Sequence, residues 1–188
     1  MTIEKENKNC IAIASSILSN KGVVIIPTDT IYGFSSLMGM EERLTIIKNR
    51  DVEKHFIYLI EKKDVATSYI DLSYYSKKEL SHLLSFWPAP LTIIFRTKTK
   101  KGSIALRAPK DEWLQKLLHS IKLPIASTSA NISGCKTIEN VDALEKIFSS
   151  SVDLIVDGGH LKGCSSTILD AREKPFKLLR QGSYKVEL

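Results

Sequence analysis

Three stretches of this sequence bring hydroxyls, amides and carboxylates to the end of an apolar run. Ser127-Thr128-Ser129-Ala130-Asn131 follows the apolar residues Leu123 to Ala126 and precedes Ser133-Gly134. Thr28-Asp29-Thr30-Ile31-Tyr32-Gly33 follows Val23 to Pro27, and Ser165-Ser166-Thr167 opens the run Ile168 to Asp170. Such residues compete for backbone hydrogen bonds, so each stretch reads as a strand end delivered to a polar site. Hydroxyls, an amide and free backbone N–H groups suit phosphate or carboxylate oxygens. The same residues would also serve as turns or helix caps.

Cations stand near comparable boundaries. Lys48, Arg50 and Lys54 flank a helix end, while Arg107 and Arg180 close two apolar runs. At a helix C-terminus such charges complement the macrodipole, contributing about 0.3–1 kcal/mol each. Beside a triphosphate each would make charge-assisted hydrogen bonds of roughly 1.5–3 kcal/mol. Spacing leaves both readings open.

The elements that must position these groups are legible by pattern. Glu4 to Asn20 carries Cys10, Ile13, Ala14, Ile17 and Leu18 at helical spacing and closes on Asn20-Lys21-Gly22. Val23 to Ile26 is a β-branched run suited to a strand buried on both faces, ending at Pro27. A helix is expected over 41–50, a strand over 56–60, and two helical pieces over 64–86. The aromatic turn Phe86-Trp87-Pro88-Ala89-Pro90 feeds a strand at 93–95, and another follows at 103–109. Amphipathic helices are expected over 111–120 and from Thr137 through Phe148. Strands at 154–156, 168–170 and 176–182 complete the chain. This irregular alternation predicts an α/β (α+β) fold with a mixed sheet and no internal repeat.

Composition bounds the rest. With 188 residues, 43% hydrophobic and 26% charged, the chain suits one sizeable core in a single domain over 1–188. No apolar run approaches the ~20 residues that span a bilayer, and the mixed-charge start is unlike a secretion signal, so a cytoplasmic protein without a membrane partner is expected. The closing Lys185-Val186-Glu187-Leu188 has no secretory context to act in. Three cysteines without a C-x-x-C pair give neither a disulfide framework nor a zinc site. His55, His82, His119 and His160 show no metal-ligand pairing, and no metal site is expected. A formal charge of +6 suits an anionic partner, a nucleotide or RNA.

Taken in order, Pro27-Thr28-Asp29-Thr30-x-Tyr32-Gly33, Lys48-x-Arg50 with Lys54, Trp87-Pro88-x-Pro90-Leu91-Thr92, Ser127-Thr128-Ser129-Ala130-Asn131-x-Ser133-Gly134, Ser166-Thr167 and Arg180-x-Gly182 resemble the YrdC family in its short form. The resemblance runs from Pro27 to Gly182. It implies a twisted mixed parallel and antiparallel sheet flanked by helices, with a deep, basic concave pocket. It also implies the reaction: L-threonine, bicarbonate and ATP, with Mg2+, give threonylcarbamoyl-AMP and pyrophosphate. The product would pass to a threonylcarbamoyl transferase complex that modifies adenosine beside the tRNA anticodon, with direct tRNA contact a further expectation.

Carried over by position, Lys48 and Arg50 are the catalytic cations. Thr30, Leu59, Ser127 and Ser166 bind threonine. Arg50, Lys54, Arg107, Ser129, Asn131, Thr137 and Arg180 face ATP, with Asn131 bracing its loop. Two positions depart from the family pattern: Ala89 replaces a usual Gly and Ser165 a frequent Pro. Ala89 needs only a negative φ, and the bulky Phe56 and Tyr58 are expected to reshape the substrate end. The chemistry needs positioning and charge neutralisation rather than a covalent nucleophile. Two other classes are weighed: a non-catalytic RNA-binding paralogue, whose affinity would fall steeply with salt, and a carbamoyl-adenylating enzyme acting on another substrate.

Overall fold

The structure, a computed structural model, describes residues 1–48, 56–98, 102–132 and 134–187. Ten described strands join one sheet: β1 (Thr2–Glu4), β2 (Val24–Pro27), β3 (Tyr32–Leu37), β4 (Ile57–Leu59), β5 (Leu91–Arg96), β6 (Ser103–Arg107), β7 (Ile125–Ser129), β8 (Leu154–Asp157), β9 (Thr167–Asp170) and β10 (Lys177–Arg180). Their order is β1-β8-β2-β3-β7-β4-β6-β5-β9-β10, with parallel and antiparallel neighbours mixed, as the irregular alternation predicts.

The described helices are α1 (Cys10–Ser19), α2 (Glu42–Ile47), α3 (Lys77–Ser85), α4 (Glu112–Ile121) and α5 (Val141–Phe148), with a 3-10 turn at Lys63–Ser68. Side-chain caps fix the starts of α3, α4 and α5. Asp111 accepts from the Leu114 N–H at 2.8 Å and Asn140 from the Ala143 N–H at 2.9 Å, each satisfying an orphan donor. Ser76 and Glu79 form a reciprocal capping box on α3. No described helix is long and apolar enough to cross a membrane.

Period-two alternation divides the core. On β2, Val24 and Ile26 pack with Cys10, Ala14 and Leu18 of α1 and Leu114, Leu117 and Leu118 of α4. Ile25 faces the opposite side, with Phe34, Leu83, Trp87, Leu144 and Phe148. Both faces of β2 are therefore buried, as its β-branched run requires.

Four expectations are corrected. A short strand, β1, precedes α1 and pairs with β8, where the helical reading of 4–20 left no strand. Tyr32–Leu37 is a strand, pairing with both β2 and β7, so Thr28 to Ile31 form a hairpin loop. The hydroxyl run does not end β7: Ser127, Thr128 and Ser129 stay in the sheet, opposite Ser35, Phe34 and Gly33. Thr137 does not begin α5, because Asn140 is the residue whose side chain caps it.

Tyr58 also departs from expectation. It lies between Ile57 and Leu59, so its side chain enters the core opposite theirs, with Phe56 packed against that same core. Ala89 has no positive φ and is buried, as its replacement of glycine required.

Candidate functional site

The site is the part of one sheet face that α1 and α4 leave uncovered. On that face Leu37 of β3, Ile125 of β7 and Leu59 of β4 pack against the two helices. Further along, the register puts Gly33 beside Ser129, Ser127 beside Ile57, and Leu59 beside Arg107. Ile93 pairs with Leu106, so Thr92 stands opposite Arg107; Thr92 pairs with Ile168, and Ile168 with Arg180. One row of side chains thus crosses the sheet. Apart from Thr92, which lies beneath Ser166, the row floors a cavity of about 260 Å³, which Thr30, Ser165 and Ser166 also line. That is a little below the roughly 300–1,000 Å³ of pockets for drug-sized ligands, and suits a small polar molecule.

The Thr28–Ile31 loop is tied by its own hydroxyl. Thr28 Oγ1 donates to the Ile31 carbonyl at 2.7 Å and accepts from the N–H groups of Thr30 and Ile31, both at 3.2 Å. It also lies 2.9 Å from Thr30 Oγ1. Arg107, 4% exposed, donates through Nη1 to Thr30 Oγ1 at 3.1 Å and pairs through Nη2 with Asp29 Oδ1 at 3.2 Å. Its two terminal nitrogens therefore hold the hairpin loop, and the side chain also lines the cavity. Gly163 seals the loop from above: a Cβ there would lie 1.5 Å from the Thr30 carbonyl oxygen.

At the other end, Ser166 Oγ lies 2.9 Å from Thr92 Oγ1 and accepts from Arg180 Nη2 at 3.3 Å, while Arg180 Nε donates to the Ser166 carbonyl at 2.9 Å. Thr167 Oγ1 receives the N–H groups of Gly182 and Tyr184 and donates to the Tyr184 carbonyl, stapling the tail to β9.

Burial lowers the pKa of Arg107 and of Arg180; Asp29 opposes the shift at Arg107, and the positive charge of Arg180 adds to it. Two guanidinium groups close enough to feel each other serve this cavity, and the loop carboxylate Asp29 pairs with Arg107. Both remain charged, since arginine does not deprotonate in proteins. Such a cavity favours carboxylate or phosphate oxygens.

The structure thus brings Thr30, Leu59, Ser127, Ser166, Ser129, Arg107 and Arg180 to one cavity. Lys48 is placed differently. It is 7% exposed, and its Nζ donates to the Ser129 carbonyl at 3.0 Å, the Asn131 carbonyl at 2.6 Å and Asn131 Oδ1 at 2.8 Å. It is built into the corner behind Ser129. Asn131 completes that corner, accepting from Ser129 Oγ at 2.6 Å and donating to the carbonyls of Ile132 and Cys135. Thr137 is half-buried and does not line the cavity. Arg50 and Lys54 lie outside the described residues.

Sequence reasoning gave no role to Thr28, Thr92 or Gly163. Thr28 carried a readable signal, a hydroxyl three residues before Ile31 as in Ser/Thr turns. Thr92 carried none, because its place is set by register with β6 and β9.

Comparison with known proteins places the fold. The family model described as telomere recombination, covering Sua5, YciO and YrdC, matches residues 16–182. A Methanocaldococcus jannaschii protein provisionally named threonylcarbamoyl-AMP synthase is 29% identical over 98% of this chain and 91% of its own. The Pyrococcus abyssi threonylcarbamoyl-AMP synthase is 31% identical over 94% of this chain, which spans 55% of that longer protein. Among solved structures, Pyrococcus abyssi Sua5 complexed with L-threonine superposes with a TM-score of 0.85 at 26% identity, covering 97% of this chain and 57% of that one. Escherichia coli YciO shares the fold, with a TM-score of 0.85 at 21% identity over 100% of this chain and 96% of its own.

Proposed function

The chain belongs to the Sua5–YciO–YrdC family, and from that premise we propose that it is a threonylcarbamoyl-AMP synthase. L-Threonine and bicarbonate combine, with loss of water, into a carbamate. A carbamate oxygen then attacks the α-phosphorus of ATP, the bond to the β-phosphate bridging oxygen breaks, and pyrophosphate leaves. The observation that carries this reading is the cavity itself: a buried arginine, Arg107, a second arginine, Arg180, at its rim, and a row of hydroxyls on the bare face of the sheet, in a fold matching that of a threonine-bound relative.

The roles follow from placement. Thr30, Leu59, Ser127 and Ser166 contact the amino acid, whose small size fits a cavity of about 260 Å³. Arg180 offers its remaining N–H groups to carboxylate or phosphate oxygens. Arg107 acts through Asp29 and Thr30, whose loop it holds. Lys48 and Asn131 fix the Ser129 corner against which the nucleotide lies. Arg50 and Lys54 belong to the nucleotide side, on the family resemblance. Fixed cations and dipoles of this kind neutralise charge developing on the phosphoryl oxygens without reorganising.

Mg2+ usually binds through one or two carboxylates together with substrate phosphates. Among the described residues no carboxylate lines this cavity, and Asp29 of its loop pairs with Arg107, so these residues do not build a resident metal site. The ion is proposed to arrive with the triphosphate. The product serves threonylcarbamoyladenosine formation in tRNA, passed to a transferase complex in the cytoplasm, with residues 1–188 acting as one catalytic domain. Pyrophosphate release from ATP and bicarbonate tests the proposal. Release that depends on L-threonine is expected, and folded protein that releases none with threonine present overturns it.

A further inference from the structure

Thr167 is completely buried and does not line the cavity, yet its hydroxyl is fully engaged. Oγ1 accepts the N–H of Gly182 at 2.9 Å and that of Tyr184 at 3.2 Å, which uses both lone pairs, and gives its one proton to the Tyr184 carbonyl at 2.5 Å. Gly182 comes this close because it has no side chain: a Cβ there would lie 2.1 Å from the Ser165 carbonyl oxygen. Arg180, which lines the cavity, stands two residues before that staple. Its guanidinium is held by the neighbour of Thr167, donating to the carbonyl and the hydroxyl of Ser166. Ser166-Thr167 therefore holds both the backbone of the tail and the cation that serves the cavity.

The sheet does little to place Arg180 by itself. β10 ends the strand order, all four of its residues are exposed, and its pairing with β9 shifts register between Leu178 and Arg180. Such an irregularity disrupts the ladder at the residue whose position matters. Gln181 adds no tie to the sheet, since its amide donates to the carbonyls of Gly182 and Tyr184 within the tail. We infer that Thr167 is a positioning residue for Arg180: by pinning Gly182 and Tyr184, it sets where the guanidinium stands at the cavity. The effect on rate rests on the synthase reading given above; the effect on Arg180 rests on the hydrogen bonds alone. Tyr184 and Val186 also pack against the core, so loss of the staple shifts the tail without unfolding the domain.

The first test needs no substrate. The Arg180 Nε–H, identified in heteronuclear nitrogen spectra by its loss in Arg180→Lys, donates to the Ser166 carbonyl at 2.9 Å and should exchange slowly with water. Thr167→Val keeps the side-chain shape and removes all three bonds, and exchange at that nitrogen should rise by about tenfold or more in the folded protein. Thr167→Ser, which keeps the hydroxyl, should restore slow exchange. Unchanged exchange in Thr167→Val overturns the proposal.

Threonine-dependent pyrophosphate release then completes a cycle of Thr167→Val, Arg180→Lys and the double variant. Thr167→Val should lower kcat/KM by about 10- to 100-fold. In that background Arg180→Lys should lower it by no more than about threefold further, because two changes acting through one side chain are not additive. Losses that multiply in full overturn the proposal, since Thr167 would then serve the fold alone. Should Thr167→Val fail to fold, the wild type decides: the Gly182 amide and the Arg180 Nε–H should lose protection together in sub-denaturing urea, as one opening unit, and separate openings overturn the proposal. A folded wild type that releases no pyrophosphate with threonine would sink the enzymatic reading alone, because exchange at Arg180 is measured without substrate.

Discussion

Lys48 Nζ lies 2.6 Å from the carbonyl oxygen of Asn131 and 2.8 Å from its side-chain oxygen, joining α2's end to the corner after β7. The ammonium is buried and serves three protein acceptors, so its removal leaves carbonyl oxygens without a donor. Lys48→Met should lower stability by about 2–3 kcal/mol and raise the KM for ATP as the Ser129 corner relaxes. Thermal unfolding with nucleotide-dependent kinetics checks this. An unchanged melting temperature with turnover abolished would instead place Lys48 directly on the substrate.

Gly163 tests how tightly the threonine end is closed. A methyl there would overlap the Thr30 carbonyl, which is backbone and cannot swing aside. Gly163→Ala must therefore displace the Thr28–Ile31 loop, and misplacement near 1 Å costs roughly 100-fold in rate. The expected result is a fall of that order in kcat/KM for threonine, with stability reduced by about 1–3 kcal/mol. Wild-type kinetics in this variant would show that the loop does not position substrate.

The parts of this architecture that were readable from sequence are those whose physics is local. β2 announces itself because both of its faces are buried, so no polar residue interrupts Val23 to Ile26. α4 and α5 show their apolar stripes, while the start of α5 misreads as Thr137 because Thr137 and Asn140 are both acceptable caps and only the second accepts the Ala143 N–H. β3 was hidden because Gly33, Ser35 and Ser36 lack strand propensity; the segment is extended by pairing on both sides, and its glycine leaves space where a Cβ would meet Ser127 Oγ at 2.6 Å. The same distinction governs the site. Thr30, Ser127, Ser166 and Arg180 were findable because they terminate or adjoin apolar runs. Thr92 and the bond of Arg107 to Thr30 depend on register between strands far apart in sequence, which no local pattern encodes.

A pH dependence follows from α3. Lys174, then the Ser76 backbone N–H and hydroxyl, hold the Glu79 carboxyl down from 4.5 to about 2. A carboxylate with a depressed folded pKa contributes stability that is fully present above its unfolded value and lost as pH falls through the folded one. The window is therefore pH 4.5 to about 2. Glu79→Gln, which keeps a capping side chain but cannot titrate, should flatten the stability profile there. Urea melts across that range check it; an identical acid slope in the variant would mean Glu79 titrates normally.

Arg180 is the cation whose removal should affect chemistry most selectively. Its Nε and Nη2 point back to Ser166, which fixes the planar fork and leaves the other N–H groups for an oxyanion. Lysine would keep the charge and lose the fork, a change that matters only where two oxygens must be held at once. If Arg180 grips carboxylate or phosphate, Arg180→Lys should cost about 10- to 100-fold in kcat/KM, with melting close to wild type because β10 is an exposed edge strand. Arg180→Ala should lose more, and added guanidinium should restore part of the loss. A lysine variant at full activity would mean that the charge alone suffices, and that the geometry around Ser166 is packing rather than recognition.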